Sequence, residues 1–332
     1  MKERILAMVL GFVIAGAAGC AGSGEDRSAE RTAPAPQGRE QDGRRPVTTG
    51  EPIDVAGLEG RIIFDDFEDV YVMDADGTNV RPVADRRGPE FDAAWAPDGR
   101  WFVYRDSRRG INENDEVYIA RADGSGSKNL TRSPANEWGP DWSTDGRTIV
   151  FNSDRDGGVM AGYLVSPDGS ELRRIDADVW IEYPSFSADG TKVAFMGHDG
   201  SGYDVYVADL RTGAASRLTR AAGSDGWPVW SPDGSTIAFA SERDDCLHAP
   251  RTAPCWVDPG GEPGEHHDIW LMDADGSNQR RVTPEYGHFV TWSPDGKLLL
   301  VSGASLYVIR PDGSGRVDVL PETGGIPDWI AP

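Results

Sequence analysis

Trp230-Ser231-Pro232-Asp233-Gly234, followed by the apolar run Thr236-Ile237-Ala238-Phe239, is the phrase that decides the fold, because the chain repeats it. A second full copy is Trp292-Ser293-Pro294-Asp295-Gly296, and near copies stand at Trp95-Ala96-Pro97-Asp98-Gly99, Trp142-Ser143-Thr144-Asp145-Gly146 and Phe186-Ser187-Ala188-Asp189-Gly190. Proline pre-sets φ, aspartate accepts hydrogen bonds from its own local backbone, and glycine takes the positive φ that other residues resist, so the phrase specifies a chain reversal between two strands. Its aromatic residues are spaced 47, 44, 44 and 62 apart. A period near 44 suits a four-stranded propeller blade and is too long for one hairpin.

A second phrase alternates with the first, an aromatic flanked by aliphatics: Val70-Tyr71-Val72, Val117-Tyr118-Ile119, Tyr163-Leu164-Val165, Val205-Tyr206-Val207, Ile269-Trp270-Leu271 and Leu306-Tyr307-Val308. Six such strands against five turn phrases leave one anchor missing. Pro327-Asp328-Trp329 at the C-terminus supplies it if the last strand inserts beside Ile62-Ile63-Phe64, which closes a ring and removes open sheet edges. The fold class is therefore all-β, a six-bladed β-propeller whose C-terminal strand closes the first blade. Each blade reads as strands A to D, with tight turns (A to B, and C to D at Asp-Gly pairs such as Asp76-Gly77) on one rim and longer loops on the other.

These repeats resemble the TolB-type propeller family, also called PD40 or WD40-like. The resemblance covers residues 61–330 and implies a TolB-like six-bladed propeller working at a bacterial envelope. The interval over residues 21–52 has no room for the α/β domain that precedes the propeller in the family's namesake, and an acylation signal stands where that protein has a simple cleavable one. One such fold serves unrelated activities, so function has to be read from the site.

Across 332 residues, 33 Lys plus Arg face 55 Asp plus Glu, a formal charge of −22. Nucleic-acid binding rests on cations neutralising phosphates, so nucleic acid is excluded as the expected partner. At the N-terminus Met1-Lys2-Glu3-Arg4 precedes an apolar stretch over residues 5–16, and Ala17-Ala18-Gly19-Cys20 closes it with small residues before a thiol. This pattern reads as an export signal over residues 1–20, and it resembles the bacterial lipobox, which implies lipidation of Cys20 after cleavage. Residues 21–52 contain almost no large apolar side chain and read as a disordered tether to the propeller over residues 53–332. The expected location is the cell envelope with membrane contact through the lipid: the outer membrane facing the periplasm if the cell has two membranes, the outer face of the cell membrane if it has one.

Binding residues on a rigid scaffold usually sit on its longer loops. Just before strand A, at the mouth of the central channel, the chain reads Glu90-Phe91, Glu137-Trp138, Glu182-Tyr183, Asp225-Gly226-Trp227, His288-Phe289 and Gly325-Ile326. An acidic, aromatic-lined mouth could hold a basic or amphipathic segment of an envelope protein or peptide, or a cation. Equally, each carboxylate could bond backbone amides of a neighbouring loop. The B-to-C loops, among them Arg105-Asp106-Ser107-Arg108-Arg109, Ser153-Asp154-Arg155 and Glu242-Arg243, are expected to pair between blades on the solvated rim.

The 62-residue spacing places an insertion at about residues 243–267, rich in Pro and Gly and carrying Cys246 and Cys255, whose simplest reading in an exported chain is a disulfide. A zinc set of Cys246, His248, Cys255 and His266 lacks the usual closely paired ligands. Asp74-x-Asp76-Gly77 and Asp273-x-Asp275-Gly276 lack the bidentate Glu of a calcium loop and read as turns. No Gly-x-Ser-x-Gly occurs. The expectation is a monomeric binding or scaffolding module with no cofactor, no metal and no catalysis. The alternative is a metal-dependent lyase or hydrolase acting on a carbohydrate or lactone at the same mouth, built from His266, His267, His288, Glu90 and Glu137. Replacing Cys20 with Ala is expected to release the protein from the membrane fraction; a protein that stays there shows that the thiol is not the anchor.

Overall fold

The computed structural model describes residues 51–332 except 85–87, 109, 111–112, 201, 244–266, 284–286 and 322–323. The signal and tether calls, and those on Cys20, Cys246, His248, Cys255 and His266, lie outside the described residues.

Six four-stranded antiparallel sheets stand around one axis. Blade 1 runs, from the axis outward, β24 (Asp328–Ile330), β1 (Arg61–Asp65), β2 (Val70–Asp74) and β3 (Arg81–Ala84). Blade 2 is β4 (Glu90–Trp95), β5 (Trp101–Asp106), β6 (Glu116–Arg121) and β7 (Lys128–Asn129); blade 3 is β8 (Glu137–Trp142), β9 (Ile149–Ser153), β10 (Ala161–Val165) and β11 (Arg173–Arg174). Blade 4 is β12 (Glu182–Phe186), β13 (Lys192–His198), β14 (Tyr203–Asp209) and β15 (Ala215–Arg217). Blades 5 and 6 are β16 (Asp225–Trp230), β17 (Thr236–Ser241), β18 (Asp268–Asp273) and β19 (Arg280–Arg281), then β20 (Gly287–Trp292), β21 (Leu299–Gly303), β22 (Leu306–Ile309) and β23 (Val317–Leu320). The outermost strands are two to four residues long, which leaves little unpaired edge for another chain to extend.

The Ser-x-Asp-Gly turns work as their chemistry requires. In Ser231-Pro232-Asp233-Gly234, Ser231 Oγ donates to Asp233 Oδ1 at 2.6 Å and accepts the Thr236 N–H at 3.0 Å, while Gly234 adopts φ +71°. Ser143, Ser187 and Ser293 repeat that pattern. The Asp-x-Asp-Gly segments are turns as well: Asp76 accepts from the Thr78 backbone and hydroxyl, and Asn79 donates to Asp74 at 2.6 Å.

Each sheet is too thin to hide its own apolar faces, so the core lies between blades. Val103, Val117 and Ile119 of blade 2 pack with Trp142, Ile149, Phe151 and Tyr163 of blade 3 as one cluster. The six anchors Trp95, Trp142, Phe186, Trp230, Trp292 and Trp329 are all 4–7% exposed, which marks Trp329 as the equivalent of the other five. It pairs with Ile62, in a register that sets Arg61 against Ile330 and Ile63 against Asp328, so the C-terminal strand closes blade 1 as the repeat count requires. Just before it, Gly325 N–H donates to the Asp65 carbonyl at 2.7 Å, and a Cβ at Gly324 or Gly325 would run into Asp65.

Ahead of β1, Ile53 is buried, Val55 and Leu58 pack on the seam between blades 6 and 1, and Arg310 donates to the Glu51 carbonyl at 2.9 Å. Arg61 donates to the carbonyl of the turn residue Gly99, which places the start of β1 on the tight-turn rim. Trp329→Ala removes a buried indole at this closure and is expected to cost about 3–5 kcal/mol. Deleting residues 325–332 should cost more still, and trimming residues 21–50 almost nothing; thermal unfolding of the three variants checks the order, and equal tolerance would contradict closure.

Candidate functional site

Six innermost strands surround a channel, and each blade supplies the three residues that precede its anchor: Asp92-Ala93-Ala94, Gly139-Pro140-Asp141, Tyr183-Pro184-Ser185, Trp227-Pro228-Val229, Phe289-Val290-Thr291 and Ile326-Pro327-Asp328. Together they line a partly open cavity of about 90 Å³. In blades 2 to 5 this stretch is a β-bulge, with register lost between Phe91 and Ala94, Trp138 and Asp141, Glu182 and Ser185, and Gly226 and Val229. Proline at its centre in blades 3, 4 and 5 has no N–H to give the ladder, and the residue before it takes positive φ: 60° at Gly139, 47° at Tyr183 and 49° at Trp227. Tyr183 and Trp227 hold that left-handed conformation as bulky side chains, which costs of order 1 kcal/mol each and occurs where surrounding structure over-determines it.

The channel is two-sided. Blades 1 to 3 contribute the carboxylates of Asp328, Asp92 and Asp141, and each ties its wall to a neighbour. Asp328 accepts the Trp95 N–H at 2.7 Å, Asp141 accepts that of Phe186 at 2.8 Å, and Asp92 accepts that of Gly139 at 3.3 Å. Burial pushes the Asp141 carboxyl up to about 7, opposed by the amides of Phe186 and Trp142 and reinforced by the charge of Asp328. Burial likewise raises Asp328 and Asp92. Behind them Asp65, bonded to the Asp92 N–H, is pushed up to about 8 by burial and then by Asp92. Blades 4 to 6 contribute rings instead. Trp227 meets Tyr183 at 5.7 Å, Phe289 at 5.5 Å and His267 at 5.5 Å, and His288 lies 5.3 Å from His267 and 5.9 Å from Phe289, centroid to centroid.

The mouth residues singled out from the sequence divide between these two environments. Tyr183, Trp227, His288 and Phe289 come together at the mouth and are partly exposed. Glu182 is partly exposed beside them, bonded by the Tyr203 hydroxyl, and burial pushes it up to about 7. Glu90, Glu137 and Asp225 are fully buried under the rim. Arg155 pairs with Glu137 at 2.6 Å and Arg243 with Asp225 at 2.8 Å, each guanidinium also lying over the strand-C aromatic of its own blade, Tyr163 at 4.7 Å and Trp270 at 4.4 Å. Phe91 and Trp138 cover Arg105, whose guanidinium sits 5.2 and 5.4 Å from their ring centroids and bonds Asp115.

The pairing expected between blades in the B-to-C loops is thereby corrected. Arg155 and Arg243 pair within their own blades, and Arg108 pairs with Asp106 two residues away, because the loop doubles back over strands A and C of the same sheet. Arg105 is not on the solvated rim at all; it is fully buried.

Sequence reasoning missed Asp92, Asp141, Asp328 and Asn152, the last of which accepts the Tyr183 N–H at 3.1 Å. A signal for two of them was present: Pro-Asp-Trp occurs at residues 140–142 and again at 327–329. It also missed the outer continuation of the mouth on blade 4, where Trp180, 36% exposed, lies 5.4 Å from His198, which is 4.9 Å from Tyr203. Glu242 pairs with His267 at 3.2 Å at the edge of the insertion.

A carboxyl raised by folding binds its proton more tightly in the folded chain than in the unfolded one, so its contribution is complete below the unfolded pKa and is lost as pH rises through the folded value. Asp65, Asp141 and Glu182 place that loss between about pH 4 and about pH 8. The turn carboxylates held low by Ser and backbone N–H donors, such as Asp145, Asp189 and Asp233, give the opposite slope only below their ordinary range. Thermal unfolding is therefore expected to show greater stability at about pH 5 than at about pH 8, each titrating group contributing up to about 1.4 kcal/mol per pH unit. A profile rising over that interval would contradict the buried, protonated assignments.

No family model matches the chain. TolB from Acinetobacter baumannii superposes with a TM-score of 0.65 at 20% identity, over 85% of this chain and 68% of that one. An uncharacterised protein of Agrobacterium fabrum is 31% identical over 172 residues, 51% of this chain and 52% of that protein. A Bacillus subtilis protein named as an uncharacterised peptidase is 27% identical over 136 residues, 39% of this chain and 18% of its own length. The matched stretch thus spans about half of the first relative and under a fifth of the second. The architecture is that of the TolB-type six-bladed propellers.

Proposed function

We propose that the protein is an envelope-anchored, non-catalytic propeller that binds a protein or peptide segment through the channel mouth. The observation that carries this reading is the continuous group of partly exposed rings, Tyr183, Trp227, His288 and Phe289, set across the channel from Asp92, Asp141 and Asp328. Exposed aromatics on a rigid scaffold bury large area at small entropy cost, and the carboxylates select a basic or amphipathic occupant. The resemblance to TolB-type propellers supports a protein partner in the envelope. The anchor at Cys20 belongs to the same proposal. The chain reaches β1 on the tight-turn rim, so a tether from the membrane joins the face opposite the mouth and leaves the mouth free.

His267 beside His288, with Glu242 bonded to the former, favours the second reading, a metal-dependent hydrolase or lyase at the same mouth. Among the described residues no three metal-binding side chains converge.

A photo-crosslinking residue at Trp180 or Tyr183 is expected to capture a defined envelope protein, whereas one at Thr144 on the opposite rim should not. Trp227→Ala with His288→Ala should reduce that capture by about tenfold or more. Equal capture from both rims would overturn the assignment of the binding face, and a stoichiometric metal lost on His288→Ala would favour the enzyme.

A further inference from the structure

The cavity in the throat of the channel is small, lined by Asp92, Asp141 and Asp328 on one side and by aromatic residues on the other, and its chemistry is narrower than that of the mouth above it. We propose that the throat binds a single protonated primary amine on an alkyl stem, the tip of a lysine side chain carried in by the bound partner. This rests on the reading of the mouth as the binding face and adds what enters the channel beneath it.

Size comes first. About 90 Å³ is room for a few water molecules or a slender chain tip, and far too little for a folded segment. Charge comes next. Asp92, Asp141 and Asp328 place three carboxylates on the wall, and the nearest cation behind them, Arg105, is held by Asp115 and lies 3.8 Å from Asp92. The opposite wall is lined by Tyr183, Trp227 and Phe289, and an aromatic ring attracts a desolvated cation that comes over its face within about 6 Å of the centroid.

A metal ion fits less well. Metals need several oxygens at about 2.0–2.6 Å. Here each carboxylate is already engaged by backbone N–H donors, Asp141 by Trp142 and Phe186, Asp328 by Trp329 and Trp95, Asp92 by Gly139, and no three ligands converge among the described residues. An ammonium group accepts longer contacts and can bridge one or two carboxylates while its stem lies on the rings.

The titratable groups facing Asp141 across the throat are Asp328, Asp92 and Tyr183, with Asp65 and Arg105 behind Asp92. An arriving ammonium favours the ionised form of Asp141, so binding should tighten as pH rises through about 7.

The test is calorimetric titration of the full chain with n-butylammonium, with n-butanol as the neutral match and calcium chloride as the metal control. The expected result is saturable binding of n-butylammonium, tighter at about pH 8 than at about pH 6, and at least about tenfold weaker or absent binding of n-butanol. Asp141→Asn should weaken the amine about tenfold. Because that change also touches two backbone hydrogen bonds, Trp227→Leu, which leaves them intact, should produce a similar loss. N-acetyl-lysine amide binding as well as n-butylammonium identifies a side-chain source; its exclusion while n-butylammonium enters identifies a free amine instead. Equal binding of alcohol and amine, calcium binding in place of the amine, or folded Asp141→Asn and Trp227→Leu proteins that bind undiminished would overturn the proposal. Crosslinking from Trp180 would still succeed in that event, and its failure alongside intact amine binding would instead remove the protein-binding reading.

Discussion

The pairing of β24 with β1 is the constraint on which the rest of the molecule depends. Propeller blades pack face to face, so each one buries its apolar faces only if both neighbours are present, and an unclosed ring would leave the faces of blades 1 and 6 in water. Three residue pairs carry the closure, centred on Ile62 and Trp329. Those pairs are few, but Trp329 shares one apolar cluster with Ile62, Phe64 and Met73 of its own blade and Leu300 and Val308 of blade 6, so the strand acts through the apolar seam more than through its hydrogen bonds. The same strand supplies Asp328, which lines the channel and accepts the backbone N–H of Trp95, the anchor of the next blade. Closure and the site are therefore one structure.

Around the ring, side chains rather than ladders carry the neighbour-to-neighbour contact near the axis. Asp65 reaches the bulge of blade 2, Asp92 that of blade 3, and Asn152 that of blade 4, while Met196 packs against Gly226 in blade 5 and Ser302 bonds the Gly324 carbonyl in blade 1. Polar links dominate in blades 1 to 3 and apolar ones in blades 4 and 5. The channel has two walls in consequence: Asp92, Asp141 and Asp328 line it in blades 1 to 3, and Tyr183, Trp227 and Phe289 line it in blades 4 to 6. A perfect repeat would have made a ring of six equal positions with no preference for an amphipathic ligand.

The architecture was legible because turn chemistry and anchor aromatics sit at positions where the backbone leaves little choice. Ser231-Pro232-Asp233-Gly234 can hardly be anything but a reversal, and the count of anchors against strands pointed to Trp329. The site was only half legible, and the reason is the bulge. A strand alternates faces with a period of two, and one extra residue changes the parity of everything before it. Counting back from the anchor through the bulge puts Glu90, Glu137 and Asp225 at one position and Glu182 at the next, so residues that look alike in sequence face different surroundings. Arg155 and Arg243 then hold Glu137 and Asp225 as buried pairs under the strand-C aromatics Tyr163 and Trp270, contacts that order along the chain does not reveal. Trp180 escaped because it lies outside the repeated phrases, on a blade-to-blade loop.

Long-range and short-range electrostatics act on different parts of this molecule. The net charge of −22 draws cationic partners from a distance, but it does so with no sense of orientation and is screened within about 8 Å at physiological ionic strength. Many of the carboxylates responsible are exposed turn residues already occupied by their own backbone, such as Asp76 and Asp233, so they contribute field and little contact. Orientation has to come from where low dielectric and negative charge coincide, and near the axis that is the wall of Asp92, Asp141 and Asp328, whose carboxyls burial raises, Asp92 in spite of Arg105 at 3.8 Å. A partner carrying a cation to that point would lower the cost of ionising them while its apolar surface covered Tyr183, Trp227 and Phe289, so the proposed binding joins attraction and fit in one geometry at the mouth.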